Sequence, residues 1–341
     1  MEVIVPAAGL SSRFPNMRPK YLLSDYKKRL MLGLAVEQYI GKYNVTVGIL
    51  KEHQEEFNAI KQIKAYLGNS VNIVILDELT RGPAETVYKI IKQANLNPQS
   101  PILIKDCDSF FEHEYTSDNF ICVSKIADHE VLKKLSSKSF IVSNDQKIVQ
   151  NIVEKSVISD TFCVGAYKFR SAELYCNAFE HISNITQEMF VSHIIQYCLD
   201  QQEVFLETPV TNYTDVGTFS DWCEYNDRPV FFCDIDGTII KAQDHDDKET
   251  PYIPLQNNIN ELLKWQSRGA QFIFTTARTI KNYDYTYNML VDLGFNYFQL
   301  VMGLQNARRI VINDYNNANP YPRAEAINLT RDSDNLKDYL K

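Results

Sequence analysis

The sequence predicts an α/β protein made of two domains. Short apolar runs alternate with helical stretches along the 341 residues, a pattern typical of mostly parallel sheets covered by helices. A turn-like break at Asn226-Asp227-Arg228-Pro229 precedes a fresh apolar strand. We therefore place a first domain at residues 1–227 and a second at 228–341, and the chain length also favours two domains.

Each part of the chain has its own order of predicted elements. The first domain begins with the strands 3–6, 45–50 and 71–76, the helix 84–93 and the strand 102–105. A more β-rich part follows, with the strands 120–124, 140–142, 148–153 and 163–169 and a helix at about 187–199. The second domain has the strand 230–234, the helix 255–267, the strand 271–275, the helix 283–293 and the strand 309–313.

Composition excludes several classes of function. The net charge of −8 argues against a nucleic-acid-binding protein, which needs a basic face. No apolar run approaches the roughly 20 residues that a membrane helix requires, and the N-terminus lacks the pattern of a signal peptide. The seven cysteines are scattered without a C-x-x-C pair. We expect a reduced, cytoplasmic protein that binds neither nucleic acid nor membrane.

The strongest chemical signal begins the second domain, in the segment FFCDIDGT at residues 231–238. An apolar run ends in Asp234 and Asp236, which point to the same side of an extended strand. Gly237 then lets the chain leave the strand in a tight loop. Two carboxylates held together attract Mg²⁺ or divide into a nucleophile and an acid/base.

This segment resembles the first motif, DxDGT, of the haloacid dehalogenase superfamily of phosphotransferases. The resemblance implies a small α/β domain in which Asp234 is the nucleophile and Asp236 the acid/base. The strand 271–275 ends in Thr-Thr-Ala-Arg, which resembles the second motif. Thr276 is then the hydroxyl that binds phosphate, with Thr275 as the alternative.

The last two motifs of that superfamily are less complete. Asn313-Asp314 follows an apolar run, and the resemblance makes Asp314 the third Mg²⁺ ligand beside Asp234 and Asp236. The usual lysine of the third motif is absent, and Arg308 is the candidate substitute. The loop 241–254 is the only insertion near the site, so the domain is expected to be capless. His245 within it is interpreted as part of a solvated loop.

The first predicted strand leads into a second candidate site. The loop 6–14, PAAGLSSRF, offers small residues that let the backbone approach a ligand and amides that can bind an anion. Arg13 and, after a proline, Lys20 add positive charge for phosphates. These residues resemble the signature loop of GT-A-like nucleotidyltransferases, which make sugar nucleotides and CDP-alcohols. Ser11 stands where many members have a second glycine.

The resemblance assigns roles over about residues 1–225 and implies a mixed-sheet, Rossmann-like fold. Arg13 and Lys20 would act on the phosphates, and Asp108 and Asp215 would hold Mg²⁺, with Asp106 as a partner behind them. Glu154, Lys155 and Glu188 would contact the acceptor. The nucleotide-binding residues would be Ala8, Gly9, Ser11, Ser12, Gly82 and Ala84.

Together these motifs predict a bifunctional, Mg²⁺-dependent enzyme. A nucleotidyltransferase would activate a phosphorylated sugar or polyol with an NTP, and a phosphatase would act in the same pathway of surface-polysaccharide precursors. One alternative keeps the transferase and makes the second domain a structural one. Another is a nucleotide sensor on an enzyme fold. The base, the acceptor and any homo-oligomer are left open by the sequence.

Overall fold

The computed structural model describes residues 1–15, 17–113, 119–129, 135–184, 188–242, 251–313 and 324–340. It divides into two compact units, Met1–Asn226 and Asp227–Lys341. Three separate sheets lie in the described part of the chain, two in the first unit and one in the second.

Strands and helices alternate through both units. The strands are β1 (Glu2–Pro6), β2 (Asn44–Leu50), β3 (Val71–Leu76), β4 (Ile102–Lys105), β5 (Ser109–Glu112), β6 (Phe120–Lys125), β7 (Phe140–Ser143), β8 (Val149–Val153), β9 (Thr161–Phe169), β10 (Leu206–Pro209), β11 (Thr211–Asp215), β12 (Val230–Asp234), β13 (Gln271–Thr275) and β14 (Phe298–Val301). The α-helices are α1 (Met31–Val36), α2 (Lys51–Phe57), α3 (Ala59–Leu67), α4 (Pro83–Gln93), α5 (Ala172–Ile182), α6 (Val191–Asp200), α7 (Phe219–Asn226), α8 (Gln256–Ser267) and α9 (Tyr283–Asp292).

The large sheet of the first unit is mixed, as predicted. Its strand order is β10-β6-β9-β4-β1-β2-β3, and β7 pairs with both β8 and β9. The strands β4, β1, β2 and β3 run parallel, whereas β9 is antiparallel to β4 and β6. Because β1 and β4 are parallel neighbours, the loops after them leave the same edge of the sheet. That edge is where open α/β sheets bind ligands.

Apolar packing on both faces explains why this sheet forms. Strand β2 is buried along its whole length after Asn44, as expected for a central parallel strand. Helix α4 begins with Pro83 in its first turn and packs Val87 and Ile90 into the core. Gly48 on β2 leaves the space that Ile90 occupies, because a side chain there would collide with it.

A two-stranded sheet lies next to the edge at which β1 and β4 end. Strand β11 pairs antiparallel with β5, and Asp215 lies opposite Ser109. The amide of Val216 donates to the carbonyl oxygen of Asp108 at 2.9 Å. This pairing brings together two aspartates that are separated by more than 100 positions in sequence.

The second unit contains a parallel sheet of the order β12-β13-β14 in its described part. Its core is aromatic, with the ring centroids of Phe274 and Phe295 4.8 Å apart. Asp234 pairs with Thr275 in the register of β12 and β13. The first two predicted motifs of this unit therefore end neighbouring strands at the same edge.

The predicted strand 309–313 is wrong. Residues 309–313 form no strand, and Ile310, Val311 and Ile312 are 67%, 54% and 92% exposed. An apolar run becomes a strand only when a neighbour completes its backbone hydrogen bonds. The third strand of the sheet is instead β14, which was not predicted, and neither were α1, α2, α3, α5, α7, β5, β10 and β11. The start of the predicted helix 187–199 is also wrong, since α6 begins at Val191.

No disulfide joins the seven cysteines, all of which lie within the described residues. None of the helices in the described ranges has the length and apolar character that crossing a bilayer requires.

Because each unit has its own apolar core, a fragment of residues 1–226 should fold alone. We expect it to unfold cooperatively with heat, at a midpoint close to that of the same unit in the full chain. Circular dichroism during thermal unfolding measures this. An insoluble or molten fragment would show that the first unit depends on the second.

Candidate functional site

A cavity of about 390 Å³ opens at the carboxyl edge of the large sheet. Its walls come from the loops after β1 and β4, from the start of β7, and from the end of β11. Nine of the residues predicted from sequence line it, namely Gly9, Ser11, Ser12, Arg13, Lys20, Asp106, Asp108, Glu154 and Asp215.

The loop after β1 is shaped by Ser11, whose φ of 52° lies in the left-handed region. Glycine adopts that conformation without cost, which explains the glycine of the signature pattern at this position. Here the Ser11 hydroxyl compensates by accepting a hydrogen bond from the backbone amide of Lys20 at 3.0 Å. Ser11 therefore ties the loop to the residue that supplies its lysine.

Asp108 and Asp215 converge in the cavity. A methyl group built on Gly217 would lie 2.9 Å from Oδ1 of Asp215 and 3.0 Å from Oδ2 of Asp108. The amide of Gly217 donates to Asp215 Oδ1 at 2.8 Å. Only a residue without a side chain leaves room for both carboxylates, so Gly217 forms a cradle between them.

Each of these carboxylates is paired with a lysine. Lys20 Nζ lies 2.5 Å from Asp108 Oδ2, and Lys138 Nζ contacts Asp215 Oδ2. Burial by itself would lower the pKa of Lys20, but Asp108 outweighs it and the pKa is raised. In return Lys20 holds the pKa of Asp108 below its usual value, against the effect of burial. Both members of this pair are therefore charged at neutral pH.

Asp106 lies behind this pair. Its amide donates to the carbonyl oxygen of Gly165 at 2.8 Å, and a methyl group on Gly165 would come within 2.5 Å of its carboxylate. Burial, and then the charge of Asp108, raise the pKa of Asp106. The two neighbouring aspartates thus have pKa values shifted in opposite directions.

A buried lysine supports the loop from below. Lys105 Nζ donates to the carbonyl oxygens of Asp106 and Ser109, at 2.8 and 2.7 Å, and lies 4.8 Å from the ring centre of Phe111. Burial lowers the pKa of Lys105. Its contacts fix both ends of the turn that presents Asp108.

Glu154 also lines the cavity, where two hydroxyl groups hold it. Ser192 donates to Glu154 Oε2 at 2.6 Å, and Ser139 donates to the same oxygen. A carboxylate fixed in this way presents its remaining acceptor capacity to the cavity, where hydroxyl groups of a ligand could donate to it.

Five other residues predicted to bind the acceptor or the nucleotide do not line this cavity. Lys155 pairs with Glu188 at 3.2 Å, and both side chains are exposed and absent from its lining. Ala84, in the first turn of α4, is buried in the core, and its amide donates to the carbonyl oxygen of Met189 at 3.0 Å. Gly82 is the N-cap residue of α4. In the segment 81–86, the residue that lines the cavity is Pro83. Ala8 is buried in a small apolar cluster.

In the second unit, Asp236 is bound by Arg278. The guanidinium donates through Nε and Nη2 to both carboxylate oxygens, at 2.7 to 3.2 Å, and the two side chains are only 2% and 8% exposed. Thr276 donates to Asp236 Oδ2 at 3.2 Å. The bidentate pair and the hydroxyl fix Asp236 in one orientation.

Asp234 is more open than Asp236. Partial burial, and then the charge of Asp236, raise the pKa of Asp234, whereas Arg309 and Arg331 oppose this shift. Arg308 is exposed. Arg331 lies against the loop after β12, where the amide of Asp332 donates to the Gly237 carbonyl oxygen at 2.9 Å. Asp314, the third predicted ligand, lies outside the described residues, as does His245.

The first site fits a divalent cation of the Mg²⁺ type. Within the described ranges no group of three or more His, Cys, Asp or Glu side chains is arranged as a metal site. Mg²⁺, however, is commonly held by one or two carboxylates together with substrate phosphates. The Gly217 cradle provides two such carboxylates.

Several residues that form these sites were not predicted from the sequence. Lys138 and Tyr213 lie in no motif, and their approach to Asp215 depends on pairings distant in sequence. Arg278 belongs to the Thr-Thr-Ala-Arg segment that resembles the second motif, but no role was predicted for it. Its spacing of two residues from Thr276 was the available signal, because residues two apart after a strand can reach the same carboxylate.

Comparison with known proteins confirms both resemblances. Residues 231–303 match the family of haloacid dehalogenase-like hydrolases. The remaining similarity lies in the first unit, which has the fold of sugar-phosphate nucleotidyltransferases. We call the two parts the transferase-fold unit and the hydrolase-like unit. No curated protein matches the sequence significantly.

Three solved structures illustrate the fold of the transferase-fold unit. A nucleoside-diphosphate-sugar pyrophosphorylase from Vibrio cholerae has 18% identity and a TM-score of 0.56, covering 65% of this chain and 98% of its own. The inositol-1-phosphate CTP transferase of T. maritima has 15% identity and a TM-score of 0.53, with 64% and 90% covered. A putative glucose-1-phosphate thymidylyltransferase from Bacillus anthracis has 15% and 0.52, with 66% and 93% covered.

Replacing Gly217 by alanine should disable the transferase-fold site without unfolding the protein. The φ of Gly217 is not positive, so alanine fits the backbone, but its methyl group would press against both carboxylates. We expect pyrophosphate release to fall by about tenfold or more, since misplacing a charged group by a fraction of an ångström is costly. The unfolding midpoint should stay within roughly 3 °C. Unchanged pyrophosphate release would contradict the convergence of the two carboxylates.

Arg278→Ala should destabilise the hydrolase-like unit strongly. Removing one member of a buried ion pair leaves the other charge unpaired, at a cost of about 3–5 kcal/mol. Urea unfolding of the full chain measures this, with the exposed Lys281→Ala as the control, expected within about 0.5 kcal/mol. If both variants lost equally little free energy of unfolding, the stability of the unit would not depend on the ion pair between Asp236 and Arg278.

Proposed function

We propose that the protein is a bifunctional, Mg²⁺-dependent enzyme. The transferase-fold unit transfers a nucleotidyl group from an NTP to a phosphorylated sugar or polyol and releases pyrophosphate. The hydrolase-like unit cleaves a phosphate monoester. The solved structures of similar fold are named for a nucleoside-diphosphate sugar, inositol 1-phosphate and glucose 1-phosphate, which supports a substrate of the sugar-phosphate or polyol-phosphate class. Our proposal further places the enzyme in the cytoplasm, in the synthesis of precursors of capsule or other surface polysaccharides.

The observation that carries the transferase proposal is the Gly217 cradle. Asp108 and Asp215 meet there, Lys20 is already paired with the first, and Arg13 lies on the same cavity. This collection of two carboxylates and two cations suits a triphosphate with its metal ion. A sensor that only binds nucleotide has no need of carboxylates arranged in this way.

Transfer requires little covalent chemistry from the protein. A phosphate oxygen of the acceptor forms a bond to the α-phosphorus, and the bond from that phosphorus to the bridging oxygen breaks, so pyrophosphate leaves with the electron pair. A metal ion held by Asp108 and Asp215 would supply charge neutralisation on the phosphates. Lys20 and Arg13 stabilise the charge that grows on the leaving group, and the loop 9–13 binds the phosphates through its amides.

Hydrolysis in the second unit divides into two steps. Asp234 attacks the phosphorus to form an aspartyl-phosphate, and Asp236 donates its proton to the leaving alcohol. Asp236 then takes a proton from water, which attacks the phosphorus and releases Asp234 and phosphate. Thr276 and Arg278 orient Asp236 throughout. Arg331 and Arg309, whose charges act on Asp234, join Arg308 as candidates for the phosphate-binding cation.

A second candidate function keeps the transferase and makes the hydrolase-like unit structural. It is favoured by the contacts of Asp236, which gives both carboxylate oxygens to Arg278. A carboxylate whose two oxygens both accept from a guanidinium has fewer lone pairs left to contact a substrate or water. In this reading the buried pair serves the stability of the unit.

Two variants of the full chain separate these proposals. Asp108→Asn should lower pyrophosphate release by about 100-fold or more, as expected from losing a metal ligand, and leave hydrolysis of p-nitrophenyl phosphate unchanged. Asp234→Asn should do the reverse. Pyrophosphate release should be measured with CTP, GTP, UTP and dTTP against a panel of sugar and polyol phosphates.

The two variants test the two proposed activities separately. If Asp108→Asn released pyrophosphate as fast as the wild type, the transferase assignment of the cradle would be wrong. If wild type and Asp234→Asn hydrolysed phosphate esters equally slowly, the hydrolase-like unit would be structural. Transfer by a fragment of residues 1–227 alone would support the proposed domain boundary.

A further inference from the structure

Lys138 is a cation of the cavity that belongs to none of the predicted motifs. Of the described residues that line the cavity, three are lysine or arginine: Arg13, Lys20 and Lys138. Arg13 and Lys20 belong to the nucleotide loop, since Ser11 holds the backbone of Lys20. Lys138 comes from another segment of the chain, directly before Ser139, which donates to Glu154.

The hairpin of β7 and β8 explains why Lys138 reaches the cavity while Lys155 does not. The backbone amide of Lys155 donates to the carbonyl oxygen of Lys138 at 3.1 Å, so the two lysines are neighbours across the hairpin. The Lys138 side chain is 15% exposed, whereas that of Lys155 is 42% exposed. Lys155 Nζ lies 4.1 Å from the ring centre of Phe190 and pairs with Glu188.

The side chain of Lys138 is held at a defined place. Its Nζ donates to the Tyr213 hydroxyl at 2.7 Å, contacts Asp215, and lies 6.0 Å from the ring centre of Phe162. The pairing of Lys138 with Asp215 mirrors that of Lys20 with Asp108. Each converging carboxylate therefore has its own lysine, one from the loop after β1 and one from the segment before β7.

We propose that Lys138 binds the phosphate of the acceptor, while Glu154 accepts hydrogen bonds from hydroxyl groups of the same molecule. The acceptor class that fits is a phosphate monoester of a polyhydroxy compound. This inference rests on the proposed transferase function. Bringing a phosphate dianion to an NTP requires a cation on the acceptor side as well as on the nucleotide side, because the two reactants repel each other. Lys155, which the sequence pattern favoured, lies outside the cavity.

The test compares lysine variants of the full chain. Affinity is measured by ³¹P NMR titration with glucose 1-phosphate and with glycerol 3-phosphate. Steady-state KM values are measured with whichever phosphate ester and NTP support pyrophosphate release. Lys138→Met should raise the acceptor's Kd and KM by about tenfold or more, as expected for a lost charge-assisted hydrogen bond. The KM for the NTP should stay within about twofold.

Three further variants make the result specific. Lys155→Met should change the acceptor constants less than Lys138→Met does. Lys125→Met, a lysine exposed at the end of β6, should change none of them. Tyr213→Phe keeps the charge of Lys138 but removes its hydroxyl partner, so a rise in acceptor KM of a few-fold is expected even if Lys138→Met fails to fold.

The outcomes distinguish this inference from the function on which it rests. A larger effect of Lys155→Met than of Lys138→Met would overturn it, as would an equal rise in the KM values for acceptor and NTP. Absence of binding of both phosphate esters to the wild type would also overturn it. Binding that depends on Lys138 without pyrophosphate release from any NTP would instead leave the phosphate site in place and count against the transferase.

Discussion

The transferase-fold unit depends on one electrostatic constraint, which is that two partly buried carboxylates meet at Gly217. Asp108 and Asp215 would repel each other unless cations were near, because repulsion grows as water is removed. Lys20 and Lys138 supply those cations from two different segments of the chain. The loop after β1, the β5–β11 pairing and the β7–β8 hairpin each contribute one part of this arrangement, so the fold and the charges specify the same cleft.

In the hydrolase-like unit a cation also compensates the charge of a carboxylate, but that cation is an arginine. Asp236 is nearly buried next to Asp234, and a bidentate arginine rather than a lysine compensates its charge. The planar guanidinium fixes the orientation of the carboxylate, which a lysine cannot do to the same degree. Orientation of this kind is useful to an acid/base that must face a leaving group and then a water molecule.

Much of the fold followed from the sequence, because long apolar runs such as β2 and β9 and the motif ends of β1, β4 and β12 carry strong local signals. The strand 309–313 shows the limit, since apolar character alone does not supply a neighbouring strand. In the site, motif residues such as Asp108 and Asp215 were predicted to act together, and the structure brings them together. Lys138 was missed because its approach to Asp215 is set by hairpin and sheet pairings that no local pattern encodes.

Manganese titration followed by electron paramagnetic resonance measures the proposed metal centre at Asp108 and Asp215, since Mn²⁺ reports a Mg²⁺-type site. With inorganic pyrophosphate present, we expect Asp108→Asn and Asp215→Asn each to weaken one Mn²⁺ site of the full chain by about tenfold or more. Asp234→Asn should leave that site intact and affect only a site in the hydrolase-like unit. Unchanged Mn²⁺ binding in both Asp108→Asn and Asp215→Asn would show that the converging carboxylates are not a metal centre.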